Sequence, residues 1–145
     1  MLPRLVVILP MILLSVAVQA GDIFHAIRDG KVDRVKQLCK DDPALVNATT
    51  DHGSTPLHWC AIKGHAELAS FLIDSGAKVD VTDKYGLTPL HRAAYWGNPD
   101  VAKVLLDNGA DHTIRDQEKH TPLDWARKRN KAKVVELIEK HAAKD

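Results

Sequence analysis

Apolar and polar positions alternate in two different ways along this chain. Residues 5–14 are apolar in succession, broken only by Pro10. From residue 22 onward the apolar residues come in short clusters at helical spacing, divided by polar stretches that carry glycine or proline. Ile23-Phe24-His25-Ala26-Ile27 reads as one short helix. Gly30 supplies a turn, and Val32, Val35, Leu38 and Cys39 mark the inward stripe of a second helix. Later clusters end in Phe71-Leu72-Ile73, Val104-Leu105-Leu106 and Leu137-Ile138. The pattern predicts an all-α protein built from short helix pairs.

Those pairs repeat. Thr55-Pro56-Leu57-His58 returns as Thr88-Pro89-Leu90-His91 and again as Thr121-Pro122-Leu123-Asp124, each step being 33 residues. Small residues follow each motif: Cys60-Ala61, Ala93-Ala94 and Ala126. Then comes Gly64, Gly97 or Asn130, and after the second apolar run Gly76 or Gly109. Each element has a physical reason. A threonine hydroxyl caps a helix, and proline suits the first helical position, whose N–H has no partner to lose. Small residues let two helices approach. Glycine, or asparagine next best, takes the left-handed conformation between them. Asp83 and Gly86 shape an outward turn over residues 78–86.

A fixed period near 33 with this motif resembles the ankyrin repeat, and the resemblance covers residues 22–145. It implies an all-α solenoid of about four helix–turn–helix repeats with projecting β-hairpin-like loops. The divisions are 22–53 (N-terminal cap), 54–86, 87–119 and 120–145 (C-terminal cap), within a domain of 21–145. Both ends depart from the pattern, as terminal repeats do when one face meets water. Asp42 to Asn47 makes a longer loop in the first repeat. In the last, Lys119 stands where the loop glycine belongs, Asp124 replaces the motif histidine and Arg127 replaces an alanine. A distorted loop is expected at Lys119.

The apolar run at the start changes the picture of location. Arg4 precedes it, and Val18 and Ala20 occupy the −3 and −1 places of a cleavage site, so that Gly21-Asp22 opens the mature chain. This is the layout of a signal peptide over residues 1–20, and it predicts an exported protein, periplasmic or secreted. The rival reading is an uncleaved anchor; the run is shorter than the roughly 20 residues a spanning helix needs. No stable membrane insertion is expected after cleavage.

Charge and chemistry narrow the function. The chain has 20 basic and 19 acidic residues, and loss of Arg4 makes the two equal. A neutral domain lacks the excess positive charge that nucleic acid rewards. Eight histidines invite a metal or haem reading through His52, His58 and His120, but the sequence holds no H-E-x-x-H or C-x-x-C pair. It holds no nucleophile elbow or phosphate loop either. Neither an enzyme nor a cofactor is implied. In the ankyrin family the motif histidine bonds neighbouring loop backbone, which implies a structural role for His58 and His91. Cys39 and Cys60 both face the interior, either as buried thiols or as one disulfide between the first two repeats. Asn47-Ala48-Thr49 matches a glycan acceptor.

The resemblance further implies a monomeric binding module that meets a protein partner along a concave groove of loop tips and first helices. Contact candidates are the positions that vary between repeats. They are Asp51, His52, Ser54, Ile62 and Lys63, then Lys84, Tyr85, Leu87, Arg92, Tyr95 and Trp96, then Glu118, His120, Lys128 and Arg129. The middle group carries the residue types that dominate binding hot spots; alternatively Tyr95 and Trp96 only cover the helix junction. Trp59 and Trp125 share one register and read as ridge packing.

Overall fold

The computed structural model describes residues 19–145. The cluster of residues 5–14 and most of the leader lie outside that range. The described chain is a double row of helices. Helix α1 spans residues 19–28 and α2 Val32–Asp41. They are followed by the pairs α3 (Pro56–Lys63) with α4 (Ala66–Asp74), and α5 (Pro89–Trp96) with α6 (Pro99–Asp107). The last pair is α7 (Pro122–Lys128) with α8 (Ala132–Ala142). Helices α3, α5 and α7 pack side by side in one row, and α4, α6 and α8 in the other. Among the described residues there is no strand. No described helix is long and apolar enough to cross a membrane.

One core runs the length of the stack. Ile23 and Ile27 start it, Leu57, Leu68, Leu72, Leu90 and Leu105 continue it, and Ile138 ends it. The small residues Cys60, Ala61, Ala93, Ala94 and Ala126 are fully buried where the two rows meet. Cys39 and Cys60 are buried free thiols, and burial pushes both upward in pKa, so neither is a ready nucleophile. The longer loop of the first repeat is a short 3-10 turn over Pro43–Asn47 that buries Leu45 and Val46. The Asn47 amide is spent on the next repeat: its Nδ2 donates to Gly76 O at 3.0 Å and its Oδ1 accepts from Lys78 N at 2.9 Å.

Three threonines open the first-row helices. Thr55, Thr88 and Thr121 each accept from the backbone N–H three residues on, at 3.4, 3.3 and 3.2 Å. Such a cap contributes about 1 kcal/mol. The reciprocal bond comes from the residue three further along. Thr55 N–H donates to His58 Nδ1 at 3.1 Å and Thr88 N–H to His91 Nδ1 at 3.0 Å. Since Nδ1 accepts, the proton sits on Nε2, which donates to the following loop: His58 to Leu87 O at 2.9 Å, His91 to His120 O at 3.1 Å. Each histidine therefore ties its own helix cap to the next loop.

The departures of the last repeat share one cause. No loop follows it in the described stack, so Asp124 needs only to cap, and its carboxylate accepts from Thr121 N–H at 2.9 Å. A Cβ on Gly86 would lie 3.1 Å from Gln117 N and 3.2 Å from Asp116 Cα in the next loop. Lys119, in the same register, has no such neighbour. It holds the glycine-like φ of +68° and the loop keeps its shape, contrary to the distortion predicted there. Asn130 takes the turn position at φ +56°, as predicted. Arg127 occupies the alanine register and pairs with Glu139 at 2.6 Å across the terminal face.

Candidate functional site

The loops between repeats are hairpin turns drawn on one plan. In the first, Thr50 N–H donates to Ser54 O and Gly53 N–H to Thr50 O. Asp83 with Leu87 and Gly86 repeats the pattern, and so does Asp116 with His120 and Lys119. The tips are laced together: Lys84 N–H donates to His52 O at 2.9 Å, and Gln117 N–H to Tyr85 O at 3.1 Å. The Gln117 side-chain amide adds a bond to Lys84 O at 2.5 Å.

An aspartate governs each of the last two loops. Asp83 Oδ1 accepts from Tyr85 and Leu87 N–H, and Asp116 Oδ1 from Glu118 and His120 N–H, all within 2.9–3.1 Å. The second oxygens differ. Asp83 Oδ2 meets Arg92 Nη2 at 2.5 Å, whereas Asp116 Oδ2 accepts from the Trp125 indole at 2.6 Å. Arg92 and Trp125 stand 33 residues apart in the same register, which Trp59 also shares. Burial pushes the Asp116 carboxyl upward, but the indole and the two backbone donors outweigh it, leaving the group below its ordinary value and ionised.

Between these loops lies a pocket of about 270 Å³. Tyr85 and Leu87 form one wall, and Gln117 and Glu118 the other. Arg92, Tyr95 and Trp125 line its base, with His91 and Asp116. The Tyr95 and Trp125 rings meet edge to face at 5.3 Å. Tyr85 and Trp96, each about half exposed, are the large hydrophobic side chains that reach into solvent among the described residues. Trp96 packs edge-on against Tyr95 at 5.5 Å, beside the pocket and not in it.

Five of the sequence candidates, Tyr85, Leu87, Arg92, Tyr95 and Glu118, thus meet in one place. Arg92 has a second role as the loop brace on Asp83. Exposed Lys84 sits on the same loop tip as Tyr85, outside the lining, and His52 stacks on Tyr85 at 6.5 Å from the neighbouring tip. Lys63 stands exposed at the far end of α3, away from the pocket. Trp59 packs toward the core and lies 5.9 Å from Phe24, as ridge packing predicts. Trp125 packs against the core as well, and in addition it lines the pocket and braces Asp116. Sequence reasoning missed Asp116 and Trp125. The signal was present in the shared register of Arg92 and Trp125, each nine residues past an aspartate.

The metal reading through His52, His58 and His120 gains nothing. Both ring nitrogens of His58 are taken by protein groups. Among the described residues no three His, Cys, Asp or Glu side chains are placed to hold a metal ion.

Comparison with known proteins agrees with the repeat. The family model described as ankyrin repeats (3 copies) matches residues 23–116. The chain is similar to palmitoyltransferase akr1 of Schizosaccharomyces pombe, 39% identical over 57 residues. It is also similar to ankyrin repeat and SAM domain-containing protein 6 of Mus musculus, 38% identical over 56 residues. A third relative, acyl-CoA-binding domain-containing protein 1 of Arabidopsis thaliana, is 39% identical over 57 residues. Each match takes 39% of this chain but only 9%, 6% and 17% of the respective relative.

Proposed function

The chain belongs to the ankyrin-repeat family, and from that premise we propose that it is a non-enzymatic module that binds a protein partner outside the cytoplasm. The binding surface is the groove of loop tips and first helices, centred on the pocket between the second and third loops. The observation that carries this is the pairing of that pocket with Tyr85 and Trp96, which stand half exposed at its side. Tyrosine, tryptophan and arginine around a concave site are the residue types that dominate protein hot spots. The module acts as a monomer, by occlusion or scaffolding. His91 and Asp116 border the pocket but spend their polar atoms on holding the loops, which supports binding over catalysis. Export rests on the sequence layout of residues 1–20, and N-terminal sequencing of the protein from its native compartment tests it: a chain beginning at Gly21 is the expected result.

The groove is tested by crosslinking and pull-down from that compartment, comparing wild type with the double variant Tyr95→Ala, Trp96→Ala. A partner recovered by wild type and lost by the variant is expected. A partner retained by the variant moves the surface elsewhere on the stack.

A further inference from the structure

The two loop aspartates differ in what neutralises them. Asp83 is fully buried and has the Arg92 guanidinium. Asp116, with a side chain 3% exposed, has only neutral donors: two backbone N–H groups and the indole. Replacing the arginine of one repeat by Trp125 in the next removes a cation and puts an aromatic wall in its place. The pocket opens at that spot.

Its balance of charge is negative. Arg92 is matched by Asp83, which leaves Asp116 and the exposed Glu118 without a lysine or arginine partner among the described residues. Its rings already attract cations from outside: Lys128 Nζ lies 4.9 Å from the Trp125 ring centroid, and the Arg129 guanidinium 4.3 Å from that of Tyr95. Neither cation lines the pocket. The imidazole of His120 stands beside both carboxylates, its Nδ1 4.0 Å from Asp116 and 3.8 Å from Glu118, and that nitrogen makes no hydrogen bond.

We infer that this pocket takes one basic side chain of the protein partner, its stem along Tyr95 and Trp125 and its cationic head toward Asp116 and Glu118. The partner's cation supplies beside Asp116 the positive charge that Arg92 supplies at Asp83, with the indole kept on Oδ2. This inference rests on the binding role proposed above and names the chemistry of its anchor. A guanidinium suits the place best, because it is planar and stacks on aromatic faces.

The test uses N-acetyl-arginine amide and its uncharged counterpart N-acetyl-citrulline amide, titrated into isotope-labelled protein at about pH 8, above the ordinary imidazole range. The backbone amides of Tyr95 and Glu118 report binding. Arginine-dependent shifts at both, with citrulline at least about tenfold weaker, are expected for a charge-selective site. Trp125→Arg, which copies the preceding repeat and gives Asp116 an internal cation, is expected to abolish the shifts. Glu118→Gln alters an exposed side chain without touching the fold and is expected to weaken binding about threefold. Equal binding of citrulline, shifts that persist in a folded Trp125→Arg protein, or no shift with arginine would each overturn the inference. A failed titration beside a successful pull-down removes the basic anchor and leaves the groove. Arginine binding without any recovered partner does the reverse.

Discussion

The second and third loops have the same turn, the same aspartate and the same histidine above them, yet one is closed and the other open. Around Asp83 the loop is sealed by a charged brace, Arg92, and a glycine, Gly86, on which the next loop rests. Around Asp116 the brace is an indole and the glycine position is Lys119. The difference teaches how a repeat protein gains a distinct surface at little cost to the scaffold. The backbone plan stays fixed, and one register position exchanges a charge for an aromatic face.

The sharpest way to break the comparison is to remove both carboxylates in turn. Asp83→Ala leaves two loop N–H groups and a half-enclosed guanidinium without partners, and loss of one member of a buried pair costs about 3 kcal/mol. Asp116→Ala orphans only neutral donors and is expected to cost less, about 2 kcal/mol. Urea unfolding of the two variants measures the order, and an equal cost for both would deny that the braces differ in kind.

Acid attacks what the loops share. Burial lowers the pKa of His58 and His91 despite their bonds to Leu87 and His120 carbonyls. The unfolded state then binds protons that the folded state refuses. Stability is complete above the unfolded imidazole value of about 6.5 and falls as pH drops below it, until the folded values are reached. The slope is about 1.4 kcal/mol per pH unit for each histidine. Thermal melts between pH 7.5 and 5, with His91→Gln as the comparison, should show a shallower acid loss in the variant.

The smallest effect concerns the open loop alone. Lys119 bears a left-handed backbone that costs a side-chain-bearing residue about 1–2 kcal/mol. The extra freedom of glycine in the unfolded chain offsets part of that. Lys119→Gly is therefore expected to stabilise by about 0.5–1 kcal/mol in denaturant. A loss of stability would show that the lysine side chain holds something the backbone geometry does not reveal.

Much of this was legible in the residues. Three motifs 33 residues apart fix the helix pairs and their caps, and Gly64, Gly97 and Asn130 mark the turns between them. The pocket was half legible. Tyr85, Leu87, Arg92 and Tyr95 stood out as variable positions, and they do converge. Trp125 did not, because an aromatic residue in a ridge register reads as packing, and for Trp59 that reading holds. What separates the two tryptophans is their loop. Trp59 faces a loop that carries Thr50 in the register of Asp83 and Asp116, and its ring packs beside Phe24. Trp125 packs against the core too, but its indole N–H is bonded by Asp116 and its ring borders the pocket. The distinction lies in a side chain nine residues away and belongs to the pair. Lys119 was misread for a similar reason: the demand for glycine comes from the next loop pressing on the Cβ, and the last loop has none.

The histidine bonds give the stack an arrow. His58 reaches forward to the loop before α5, and His91 forward to the loop before α7; neither is held in return by the loop it steadies. Trimming the last repeats from the carboxyl end would leave the second turn with its histidine anchor, though without the bonds from Gln117. Trimming from the amino end would free a turn as soon as the repeat that carries His58, and then the one that carries His91, is removed. The pocket depends on the second and third turns, so its shape is inherited from α3 and α5. A shortened version that keeps it must start no later than Thr55.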